Sequence, residues 1–137
     1  MKTSAEAFVE RFLVWARARE DVVAIALVGS HARGTPRPDS DLDVMTILRA
    51  PSALVDDLSW CDAFGDVARR AVERWGTVTS VRVHYEDGLE VELGLAPPEW
   101  AATDPVDPGT ARVVRDGFEI LFDPAGTLQR LVPAATR

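Results

Sequence analysis

Two aspartates one residue apart, Asp41 and Asp43, stand at the start of the run DLDVMTIL (41–48). If that run is a strand, its side chains alternate between faces, so both carboxylates share one face while Leu42 and Val44 take the other. Like charges held together at the end of a buried strand raise each other's pKa, and a divalent cation resolves the conflict. Carboxylate oxygens in this number suit Mg²⁺, which keeps waters and commonly takes further ligands from substrate phosphates. Gly29 and Ser30 open the stretch GSHARG directly after the apolar run VVAIALV. A tight turn there presents backbone N–H groups and a hydroxyl, and a helix N-terminus favours an anion. Cradle and carboxylates are expected at the same edge of a sheet, where phosphate and metal would meet.

The surrounding sequence supplies elements able to hold these groups. Val22 to Val28 has no polar residue and reads as a strand buried on both faces. Ala5 to Arg19 places Phe8, Phe12 and Trp15 at helical spacing behind a Ser4 cap, which predicts an amphipathic helix over the sheet. Thr35 to Ser40 contains two prolines and reads as loop; within it Asp39 reads as a turn residue, and Ser40 as either a loop cap or a phosphate contact. Pro51 to Trp75 has a mostly helical rhythm with a break near Gly65, predicting a second large helix. VTSVRVHY, the turn EDG and LEVELGL make a hairpin. Pro97 to Gly109 reads as a loop with one helical turn around Trp100, followed by a strand in GFEILFD and a short helix from Gly126. The expected class is α+β (mixed α/β): one domain over 1–137, with a mixed sheet of about five strands and helices mainly on one face.

Composition bounds the function. The net charge of −7 argues against a long nucleic acid as substrate, since broad phosphate-backbone binding needs a basic face. Cys61 is the only cysteine, so neither an internal disulfide nor a cysteine-based metal site can form; it reads as a small buried hydrophobe. No run approaches membrane-spanning length and the first twenty residues lack a secretory hydrophobic core, so the expected location is cytoplasmic. His31 reads as a solvent-facing residue in preference to a catalytic one; His84 and Arg82 alternate on the hairpin, where they could face a cleft, but read as ordinary strand residues. Trp100 is the aromatic expected to border an acceptor pocket.

GSHARG followed by PDSDLDV resembles the G-S…D-x-D signature of the nucleotidyltransferase superfamily that includes DNA polymerase β, in its small stand-alone bacterial form. The resemblance runs from Val22 through Leu95. It implies the nucleotidyltransferase fold, a triphosphate on Gly29 and Ser30, and Mg²⁺ on Asp41 and Asp43, with two ions during catalysis. A third carboxylate is implied on LEVELGL: Glu92 is the choice, with Glu90 on the same face as the alternative. The implied reaction is attack by a hydroxyl on the α-phosphorus of a nucleoside triphosphate, ATP being the expected donor, with Glu92 as base and Arg33 steadying the triphosphate. The acceptor is a small molecule or a protein. Its pocket is expected from a homodimer, from the late Pro-rich loop, or from a partner such as the helical toxin of a toxin–antitoxin pair. A nucleotide-binding domain that no longer catalyses is the reading if Glu92 points away from the aspartates.

Overall fold

In a computed structural model, described for residues 2–37 and 40–137, the chain forms a six-stranded mixed sheet with helical segments on both faces. Pro38 and Asp39, and with them the turn expected at Asp39, lie outside the described residues. The strands are β1 (Val22–Val28), β2 (Leu42–Leu48), β3 (Val67–Trp75), β4 (Val78–Tyr85), β5 (Glu90–Ala96) and β6 (Phe118–Phe122). Their spatial order is β3-β4-β5-β2-β1-β6. Neighbours run antiparallel except β2 and β5, which are parallel.

Helix α1 (Ser4–Arg17) is capped by Thr3 and not by Ser4. The Thr3 hydroxyl accepts from the Glu6 N–H at 3.1 Å while the Glu6 carboxylate accepts from the Thr3 N–H, a reciprocal capping box. Its Phe8 and Phe12 are buried against the sheet with Phe64 and Tyr85, ring centroids lying 5.3 to 5.8 Å apart. Each such ring contributes about 1.5–3 kcal/mol by leaving water. The free Cys61 is fully buried in this layer, and burial pushes its thiol up to about 11.

The segment read as a second large helix behaves differently. Only Ser52–Asp56 (α3) and a 3₁₀ helix at Leu58–Phe64 are helical; after Gly65 the chain becomes β3. Val67, Ala68, Ala71 and Val72 have helical spacing, but β3 is an edge strand exposed along most of its length, so it never shows the alternation that marks a half-buried strand. That strand raises the count from about five to six.

The second departure is α4 (Pro108–Arg115), which the sequence pattern does not announce beyond the Pro-rich loop. Asp107 caps it, accepting from Gly109 and Thr110 N–H groups at 2.9 and 3.2 Å. With the expected turn at Pro98–Ala101 and helix α5 (Thr127–Ala135), it buries Trp100, Val114, Leu128 and Leu131 on Ala24, Ala26, Met45 and Ile47. The small alanines of β1 let this second layer approach closely. Helices therefore cover both faces and not mainly one.

Candidate active site

β1 ends at Val28 and α2 (Gly29–Arg33) begins at once. Gly29 has φ +72°, and a Cβ there would sit 2.9 Å from Asp43 Oδ2, so only glycine lets this turn lie against the carboxylate. Its N–H donates to the Gly117 carbonyl at 3.2 Å, which ties the turn to β6 and leaves that donor engaged. Gly117 is equally constrained: a Cβ would lie 2.8 Å from the Gly29 carbonyl oxygen. Ser30 follows, half-buried, within α2.

The parallel β2–β5 ladder sets Asp43 opposite Glu92, and the β4–β5 ladder sets Arg82 opposite Glu92 and His84 opposite Glu90. Asp41, one residue before β2, reaches the same group. The Arg82 guanidinium sits among these acids: it donates to Asp41 at 2.7 Å, to Glu92 at 2.9 Å and to Glu90, with Glu73 3.9 Å away. His84 Nε2 lies 2.9 Å from Glu90. Thus Glu92 faces the aspartates, and Glu90 lies one step further out along the strand toward His84.

Burial, followed by the charges of Glu92 and Asp41, pushes the Asp43 carboxyl up to about 7. Its Oδ1 is buried without a hydrogen-bond partner. For Glu90, burial acts to raise the carboxyl, but hydrogen bonding to Arg82 and the nearby cations hold it below its ordinary value. Arg82 is held more firmly protonated, first by its hydrogen bond to Asp41.

Among the described residues no three His, Cys, Asp or Glu side chains converge as a preformed metal shell, and the cation among the carboxylates is Arg82. The donor chemistry nevertheless fits a hard divalent ion: the available atoms are carboxylate oxygens, and one of them, Asp43 Oδ1, is buried and unpartnered. Asp41, Asp43 and Glu92 would hold such an ion if Arg82 were displaced from them.

The other named residues have separate placements. Arg33 donates to the Asp116 carbonyl and pairs with its carboxylate at 3.4 Å, so its charge is directed to the α4–β6 junction. Ser40 closes its loop, its Oγ accepting from the Arg37 N–H at 2.8 Å. His31 is half-buried, not solvent-facing, with Nε2 unpartnered. Sequence reasoning missed Arg82; the available signal was that Arg82 and Glu92 occupy matching positions across the hairpin.

On the same face, just inside the carboxylates, is a depression of about 340 Å³. Met45, Gly94, Ser80 and Val78 line its floor, with Trp75 and Trp100 also in the lining and Asp43 and Glu92 at one end. The space follows from small residues in mid-sheet: a Cβ on Gly94 would come within 3.0 Å of Met45 Cε.

The description "nucleotidyltransferase domain" is matched by residues 7–93, more than half of the chain, including β1, the Gly29 turn, β2 and Glu92. The chain belongs to this nucleotidyltransferase family. Two solved structures agree with the fold. An aminoglycoside 6-adenyltransferase from Bacillus subtilis superposes with a TM-score of 0.57 at 17% identity, covering 74% of this chain and 37% of that protein. A nucleotidyltransferase-like protein from Exiguobacterium sibiricum 255-15 gives 0.50 at 16% identity, covering 98% and 39%. A toxin–antitoxin structure with AMP-PNP gives 0.48 at 13% identity, covering 93% and 82%. The chain thus spans well under half the length of the first and second of these nucleotidyltransferase relatives. No curated protein matches its sequence.

Proposed function

We propose that this nucleotidyltransferase domain transfers a nucleoside monophosphate, AMP from ATP, to a hydroxyl on a small molecule or on a partner protein, with Mg²⁺ held by Asp41, Asp43 and Glu92. The observation that carries the reading is the parallel pairing of β2 with β5, which sets Asp43 against Glu92 while the Gly29 turn lies against Asp43 Oδ2. When bound, the divalent ions would neutralise phosphate charge and favour ionisation of the attacking hydroxyl.

The chain's own groups have distinct tasks. Ser30 is the hydroxyl available to a phosphate oxygen, since the Gly29 N–H is engaged by Gly117. The acceptor oxygen forms the new bond to the α-phosphorus, the bond to pyrophosphate breaks opposite it, and the hydroxyl proton passes to Glu92. In-line displacement places nucleophile and leaving group on opposite sides of the phosphorus. With the phosphates on the β1 side, the acceptor enters from the β5–β4 side, where the depression between Trp75 and Trp100 lies. Arg82, displaced from the carboxylates, would be free to meet phosphate charge. Among the described residues no helix is long and apolar enough to cross a membrane, and we place the protein in the reducing cytoplasm, which accords with its free, buried Cys61.

Incubation with α-labelled ATP, Mg²⁺ and cell extract tests the reading. Label should pass to an acceptor with the wild type and not with Asp41→Ala/Asp43→Ala. Equal labelling by both would overturn it.

A further inference from the structure

β3 is unusual for an edge strand. Natural sheets keep their edges short or covered, because an open edge pairs with other chains. Among the described residues the nine-residue β3 is the longest strand and stands at the border of the sheet, with β4 as its one strand neighbour. Val72 and Trp75, 38% and 61% exposed, both belong to it.

The charges along β3 are self-complementary. Arg69, Ala71 and Glu73 are opposite His84, Arg82 and Ser80, so these three lie on the face that carries the acidic cluster. A twofold axis through Ala71 in an antiparallel β3–β3 ladder sets residue 69 of one copy opposite residue 73 of the other. Each Arg69 then meets a Glu73, twice per pair by symmetry. On the opposite face the same register lays Val72 on the aliphatic stem of Arg70, whose charge is already met by Asp62 at 3.5 Å. No like charges stand directly opposite each other between positions 69 and 73 in this register.

We propose that β3 is a homotypic docking edge, through which two copies join their sheets antiparallel about Ala71. Arg69 of one copy then reaches the border of the other copy's acidic cluster, where Glu73, Asp41, Glu90 and Glu92 share the single guanidinium of Arg82. Five directly opposed residues a side make a small interface, so association is weak, on the order of micromolar or weaker. The inference concerns assembly and stands whether or not the domain transfers nucleotides.

Sedimentation equilibrium from about 5 to 500 µM, bracketing the interface strength expected for this size class, tests it with the full chain. Wild type should pass from monomer to dimer. Arg69→Glu and Glu73→Arg each turn two attractive contacts into repulsive ones and should weaken dimerisation at least about tenfold. Mixed in equal amounts they should dimerise again, because one variant carries acids at both positions and the other carries arginines at both, so that opposite charges face each other once more. Thermal melts establish that both variants fold. A wild type monomeric throughout, dimers unaffected by either substitution, or folded variants that fail to associate when mixed would each overturn the proposal.

Discussion

Replacing Asp43 by Asn in the metal-free protein should remove most of a pH dependence of stability. The folded carboxyl half-ionises at about 7, because it is buried and faces Glu92 and Asp41. In the unfolded chain it ionises near 4. The folded state therefore holds a proton that the unfolded state has released, and between these values stability falls as pH rises. Below pH 4 the penalty is absent; above 7 it is complete. Each tenfold difference in proton affinity is worth about 1.4 kcal/mol, so the ceiling is about 4 kcal/mol, and partial exposure with solvent screening reduces this to about 2. Urea unfolding in EDTA at pH 5 and pH 8 measures it. About a third of that loss is already present at pH 5, so wild type should lose about 1.3 kcal/mol more than Asp43→Asn across that interval, and Mg²⁺ at pH 8 should restore much of the loss to wild type alone. Identical pH dependences in the two proteins would show that the Asp43 environment is not as described.

Other substitutions separate the roles of neighbouring groups. Arg82→Met removes the cation that now sits among the carboxylates and should tighten Mn²⁺ binding by about tenfold or more in calorimetry, while lowering metal-free stability; weaker Mn²⁺ binding would instead make Arg82 a support for the metal site. Gly29→Ala places a Cβ 2.9 Å from Asp43 Oδ2 at φ +72°, so a loss of about 1–3 kcal/mol in denaturant unfolding is expected, with weakened ATP binding. Phe12→Ala should cost about 3–5 kcal/mol, because it empties a fully packed aromatic cluster.

The parts legible in the sequence were those whose environment is uniform. β1 has an apolar residue at every position because helices lie on both sides of it, and it begins and ends where its composition says. The aspartate pair was legible for the same reason, since charged residues interrupt the buried strand β2 only at its start. β3 was not legible: with one strand neighbour and little burial, its sequence is free to show a helical spacing that nothing enforces. Helix α4 was hidden because its cap and first residues, Asp107 and Pro108, complete a run that otherwise reads as loop. Arg82 escaped for a different reason. The hairpin sets it opposite Glu92, but its importance comes from the β2–β5 pairing, which brings Asp41 from far back in the chain to the same guanidinium and cannot be read from the hairpin alone.

That register also explains why the acids meet where they do. Antiparallel neighbours need only a hairpin, but a parallel pair needs a crossover connection, and here the segment between β2 and β5 supplies α3, the 3₁₀ helix and the β3–β4 hairpin. The single parallel junction of the sheet is thus where two strand starts lie side by side, and Asp43 and Glu92 both belong to those starts. An antiparallel β2–β5 pair would have put Glu92 at the far end of the ladder from Asp43. The connection that imposes the parallel pairing also delivers Arg82, from the strand next to β5, into the negative charge that the pairing creates. Fold topology and local electrostatics are therefore linked here: the crossover that brings the carboxylates together also carries the counter-charge that neutralises them in the metal-free chain.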